Sequence, residues 1–149
     1  MKLFVAGPMR GHPEFNTPAF NQATETLVHM GHTVYNPAHY DSLNGHDWTG
    51  CDGTQQELDD AQFNMRAAML DNMSWICEEA DAIVLLEGWH NSVGASAEAT
   101  MGLCMDLPMF VLVRGVLKTI EPELVWVMPD EPFEGHDTVN HVPGQTALV

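Results

Sequence analysis

The chain has 149 residues, 45% of them hydrophobic, with 5 Lys+Arg against 21 Asp+Glu and a formal net charge of −16. That length suits one domain with a sizeable core. Five cations cannot neutralise a run of phosphates, which excludes nucleic-acid polymers and anionic membrane surfaces as partners; a single phosphate held by backbone N–H groups or one Arg is still permitted.

Leu3-Phe4-Val5-Ala6 is a continuous apolar run closed by Gly7-Pro8, which predicts a buried strand. Thr17 as N-cap and Pro18 at the first helical position open a helix with Phe20, Ala23, Leu27 and Val28 on one face, ended by Gly31. Thr33-Val34-Tyr35 is a second strand, stopped by Asn36-Pro37. Residues 38–53 hold Asn-Gly, Thr-Gly and Asp-Gly steps and read as a long loop, of a length that is more often functional than not. Thr54 and Glu57 form a capping box that opens a helical region reaching about Ala80, with a break near Asn64 or Asn72. Ala82–Leu86 is the clearest strand. A helix follows from about Ser92 to Met105, and Pro108–Val113 is a fourth strand. Past Gly115 the sequence is irregular: residues 117–128 leave room for one more element, and 131–149 read as an extended arm or a poorly ordered tail.

Apolar strands alternating with helices predict an α/β three-layer sandwich around a parallel sheet of four to five strands. The domain spans 1–115, and 116–149 form a C-terminal extension packing on it or on a neighbouring subunit. No stretch approaches a membrane span, and the apolar run after Lys2 is too short for a signal-peptide core. Three scattered cysteines then read as reduced thiols of a cytosolic protein, with Cys77 and Cys104 as small core residues. Ten methionines, mostly at helical spacings, read as core filling.

In a parallel sheet, ligands collect at the carboxyl ends of the strands. Here those ends carry Gly7-Pro8-Met9-Arg10-Gly11, Asn36-Pro37 and Glu87-Gly88-Trp89-His90-Asn91-Ser92. Small residues at Ser92 and Gly94–Ala97 let a ligand approach a helix start, and Glu98 follows in an otherwise small, apolar stretch. The helix N-terminus favours the ionised form of Glu98, as a nucleophile needs. Asp71 lies among apolar positions, where a raised pKa would suit a general acid. Arg10, flanked by glycine, is the candidate anion contact. Asp81 stands at the amino end of its strand, away from the crevice. His46, Asp47, Cys51 and Asp52, or His136, Asp137 and His141, lack metal-ligand spacing, so no metal is implied. Dinucleotide, triphosphate-loop and nucleophile-elbow glycine motifs are all absent.

Taken together, the opening Leu3–Gly11, Asn36-Pro37, Asp71, Ala80–Trp89 and Ser92-Val93-Gly94-Ala95-Ser96-Ala97-Glu98 resemble the nucleoside 2-deoxyribosyltransferase-like superfamily, nearest a small branch frequent in phages. The match runs over about residues 3–113. The resemblance implies a flavodoxin-like, Rossmann-like fold that cleaves the N-glycosidic bond of deoxynucleosides or their 5′-monophosphates without a cofactor. It makes Glu98 the nucleophile and Asp71 the acid that helps protonate the departing base. The sugar then passes to water or to a second base. It places a 5′-phosphate at Ser92, Gly94 and Arg10, and the remaining contacts at Gly7, Pro8, Met9, Gly11, Asn36, Gly88 and Asn91. As aromatics in strand-end loops, Phe15 or Trp89 suit stacking on a flat base, with packing under the first helix the other reading of Phe15. The resemblance also implies a homodimer or larger homo-oligomer in the cytoplasm, the host's if the chain is phage-encoded. A nucleotide-binding module without turnover, or an interaction protein using its acidic surface, stays open beside it.

Overall fold

Strands β1 (Lys2–Ala6) and β3 (Ala82–Leu85) are buried over nearly their whole length because they lie side by side at the centre of one sheet. A parallel strand covered on both faces needs such a continuous apolar run. In the computed structural model, which describes residues 1–120, the sheet has five strands in the order β2-β1-β3-β4-β5. The outer strands are β2 (Thr33–Tyr35), β4 (Met109–Val113) and β5 (Val116–Ile120). β1, β2, β3 and β4 pair in parallel, whereas β5 returns antiparallel along β4, with Val113 opposite Val116.

Helices cover both faces. Leu3, Val5 and Val84 pack under Phe20, Ala23 and Leu27 of α1 (Thr17–His29). Phe4, Ile83 and Leu85 pack under Ile76 of α4 (Met65–Glu78) and Ala95 and Ala99 of α5 (Val93–Cys104). The architecture is the expected three-layer α/β sandwich. Between β2 and α4 the chain forms two short helices, α2 (Pro37–Leu43) and α3 (Gln55–Asp60). Phe15, Trp48 and Leu58 make a separate small cluster there. No helix among the described residues is long and apolar enough to cross a membrane.

Several sequence expectations shift. The sheet is not wholly parallel, and the domain continues past residue 115, because β5 belongs to it. The arm at 131–149, with His136, Asp137 and His141, lies outside the described residues. Residues 38–53 are not all loop: the Asn36 side chain accepts from the Ala38 and His39 N–H groups at 3.0 and 3.3 Å and so caps α2. The Asn-Pro step that stops β2 thereby starts a helix, with Pro37 where its missing N–H costs nothing. The N-cap of α1 is Asn16, one residue early, and Val28 is exposed. Cys77 and Cys104 are exposed, not in the core. The capping box of Thr54 and Glu57 forms, and the expected break comes before Asn64, whose side chain accepts from the Ala67 N–H.

The loop after α2 is seated by backbone hydrogen bonds, by Gly50 N–H donating to a Glu14 carboxyl oxygen at 3.2 Å, and by Trp48 packing on Phe15. Gly11 N–H donates to the Gly53 carbonyl at 2.8 Å, and Glu14 N–H donates to the Cys51 carbonyl at 2.7 Å. Gly53 has φ +80°, and a Cβ there would fall on the His12 carbonyl oxygen. We expect Gly53→Ala to cost about 2–4 kcal/mol in urea unfolding, from left-handed strain plus overpacking. Tryptophan emission should also shift to the red as the loop carrying Trp48 lifts. Unchanged stability and emission would contradict this account of the loop.

Candidate active site

The carboxyl ends of β1 and β3 open into a cavity of about 510 Å³. Its walls are the loop after β1, the segment from Gly88 into α5, and parts of α2, α3 and α4. This is the crevice that strand order assigns to ligands in parallel sheets.

Glu98 lies on the inner face of α5, only 5% exposed. The helix begins at Ser92, whose Oγ accepts from the Ala95 N–H at 3.3 Å, so this start is tied down by its own sequence. One Glu98 oxygen is held: Asn72 Nδ2 donates to Oε1 at 2.9 Å. The amide is oriented in turn by Tyr35, whose hydroxyl donates to Asn72 Oδ1 at 3.2 Å. Burial raises the Tyr35 phenol above its ordinary value, which keeps it a donor. The other Glu98 oxygen makes no hydrogen bond among the described residues.

Burial pushes the Glu98 carboxyl up to about 8, with the Asn72 hydrogen bond offsetting part of the rise. The expected bias toward an ionised Glu98 is therefore reversed by burial. A helix terminus stabilises a charge by about 0.3–1 kcal/mol at an exposed site, whereas a shift of this size represents several kcal/mol of desolvation.

Of the residues expected at the site, Gly7, Pro8, Met9 and Arg10 line the cavity from one side. Gly88, Asn91, Ser92 and Gly94 line it from another. Arg10 stands exposed at the rim, its guanidinium on the Gln55 amide oxygen at 3.1 Å and in no ion pair among the described residues. Phe15 is buried and packs at 4.6 Å on Trp48. It gets there through three successive left-handed residues, Glu14, Phe15 and Asn16, at φ +54°, +49° and +61°. Such a run costs about 1–2 kcal/mol per residue. It is held in part by Asn16 Nδ2 donating to the Pro8 carbonyl at 2.7 Å.

Four expected residues lie elsewhere. Asn36 is buried as the cap of α2 and donates to Asn21. Gly11 is in the loop but not in the cavity wall. Trp89 is half-buried against the core beneath α5 and does not line the cavity. Asp71 is exposed and borders a smaller neighbouring cavity of about 260 Å³; its place facing Glu98 is taken by Asn72, the next residue on the helix. Asp81 accepts from the Lys2 N–H at 2.6 Å, at the far end of the sheet.

Sequence reasoning missed Asp41 and Trp48. Asp41, on α2, is 8% exposed and lines both cavities. Burial pushes it up to about 6, partly opposed by the nearby Trp48 indole. Trp48 Nε1 is itself buried with no hydrogen bond of good geometry. Both lie in the stretch read as loop, where an acid passes for solvated. No three His, Cys, Asp or Glu side chains among the described residues gather as a metal ion would require.

The Glu98 shift has a consequence for folding. Between about 4.5, its ordinary value, and 8, the folded chain holds a proton the unfolded chain has released. That contribution is fully present below about 4.5 and is lost as the pH rises to 8. Glu98→Gln keeps the Asn72 contact without the titration. Its melting temperature should lie close to the wild type near pH 5 and exceed it by about 8–15 °C at pH 8, by circular dichroism. A gap that does not widen with pH would contradict the burial argument.

No curated protein and no solved structure matches the chain. The family model described as "Domain of unknown function (DUF4406)" matches residues 1–110, from ahead of β1 into β4, and the chain therefore belongs to that family.

Proposed function

We propose that the protein cleaves the N-glycosidic bond of 2′-deoxynucleoside 5′-monophosphates or deoxynucleosides by a retaining mechanism, with Glu98 as nucleophile. The observation that carries this reading is the Glu98 carboxyl, buried at the end of a parallel sheet with one oxygen held and the other unbonded. An oxygen fixed through Asn72 is aimed, and an unbonded partner oxygen can approach a sugar carbon. As the C1′–base bond breaks, its electron pair leaves with the base, and a Glu98 oxygen bonds to C1′. Water, or a second base, then displaces the carboxylate. The positive charge developing on the sugar favours the ionised carboxyl, which burial alone disfavours.

The remaining walls fit the same substrate. The start of α5 at Ser92 and Gly94, with Arg10 at the rim, would take a single phosphate. Phe15 would offer the base an aromatic edge. A homo-oligomer in the cytoplasm belongs to the same reading, and Leu70 and Val93, 66% and 79% exposed, are apolar surface that a subunit contact would cover.

The place of Asp71 outside the main cavity favours a second reading, a pocket that binds a nucleotide without turnover. Incubation with the four deoxynucleoside monophosphates and the four deoxynucleosides, followed by chromatography for free base, separates the two. We expect base release from the wild type and a loss of at least about a thousandfold in Glu98→Gln and Glu98→Ala. Binding without base release at high protein concentration would replace the enzyme by the binding module.

A further inference from the structure

We propose that Asp41 is the proton-donating carboxyl of the cavity, the group that protonates the departing base. This rests on the N-glycosidic reading above and gives Asp41 the role that sequence resemblance gave to Asp71. Glu98 and Asp41 are the two acids that line the cavity, whereas Asp71 borders its smaller neighbour. Asp41 is more than nine-tenths buried, yet its carboxyl makes no ion pair and no side-chain hydrogen bond of good geometry among the described residues. A buried carboxyl with one poorly aligned donor is costly, and cavities keep such groups where a ligand completes them.

The surroundings fix its position. Asp41 sits in the second turn of a helix whose start is clamped by Asn36 and Pro37. The Trp48 indole N–H, buried and without a well-formed hydrogen bond, is the nearby donor. Tyr40 and His46 flank Asp41 from its own helix and the following loop, with Asp71 opposite on α4. His12, Arg10 and Glu98 are the other titratable groups that line the main cavity.

The step balances as follows. The C1′–nitrogen bond breaks, its electron pair goes to the base, and a base ring nitrogen takes the Asp41 proton while Glu98 bonds to C1′. When water attacks C1′, the Glu98 ester bond breaks and the water proton returns to Asp41. A purine is protonated on a ring nitrogen several bonds from C1′. The acid therefore belongs farther from the nucleophile than in an O-glycosidase.

The test compares wild type, Asp41→Asn and Asp71→Asn on 2′-deoxyguanosine 5′-monophosphate and on its 7-methylated form, whose base departs without needing a proton. Asp41→Asn should lose about a hundredfold or more in kcat on the first substrate and less than about fivefold on the second. The reactive form carries the pair's single proton on Asp41 with Glu98 ionised, the minor of the two arrangements because Glu98 titrates higher; kcat/KM is still bell-shaped, falling below about 6 and above about 8. Asp41→Asn removes the fall on the alkaline side, because only an ionised Glu98 is then required. Trp48→Phe keeps the carboxyl, withdraws the indole donor, and should move the acidic limb upward.

Equal loss on both substrates in a variant that melts like the wild type overturns the proposal. So does a leaving-group-dependent loss in Asp71→Asn with Asp41→Asn unaffected. If Asp41→Asn melts early, an acidic limb that Trp48→Phe leaves in place overturns it instead. Wild-type protein that releases base from neither substrate, nor from any of the other deoxynucleoside monophosphates and deoxynucleosides, overturns the N-glycosidic reading itself, and the acid role with it.

Discussion

The pairing of β1 with β3 is the constraint on which the rest of the structure depends. Two adjacent parallel strands, Leu3–Ala6 against Ala82–Leu85, are buried on both faces, so helices must lie above and below them. Parallel strands also bring both chains to the same edge before either turns away. Gly7-Pro8 and the Leu86–Gly88 turn therefore emerge side by side. Gly7 lies so close that an added Cβ would sit 2.9 Å from that of Leu86. The crevice between these two exits is a consequence of the pairing, and every element around it inherits its position from there.

Within that crevice two electrostatic effects compete at Glu98, and magnitude decides between them. The start of α5 draws the carboxyl toward ionisation weakly, because the residue lies beyond the first turn. Burial on the inner face of α5 opposes it far more strongly. Asn72 settles how the acid is tolerated: a neutral amide satisfies one oxygen without supplying the charge that would hold the proton off. A lysine there would have locked Glu98 ionised. An amide leaves it responsive to whatever enters the cavity.

Much of the fold was legible because its signals are local. The Thr54 and Glu57 capping box, the Ser92 cap and the run at Ala82–Leu85 each declare themselves within four or five residues, and each forms. Asn36-Pro37 is local too, but strand end and helix start share the same letters, and α2 was hidden in that ambiguity. Asp71 failed for a rotational reason. One residue is about 100° around a helix, and the face that buries Asn72 and Ile76 turns Asp71 outward. Cys77 follows Ile76 and turns out by the same step. Asp41 and Trp48 were invisible because they lie in a segment docked through Gly53 and Cys51 on Gly11–Glu14, a contact between stretches some forty residues apart.

The net charge of −16 takes on a different meaning once the cavity is laid out. Its two interior acids titrate high, so near neutrality this pair carries about one proton and less charge than its sequence suggests. A phosphate driven to that depth would still meet carboxyl oxygens with no cation beside them. At the rim it meets Arg10 and the first N–H groups of α5. The cavity thus sorts a ligand by polarity along its length, with an anionic end outside and an uncharged, proton-accepting end within. On the N-glycosidic reading, that orientation carries the bond joining sugar to base toward Glu98, and the base toward Asp41.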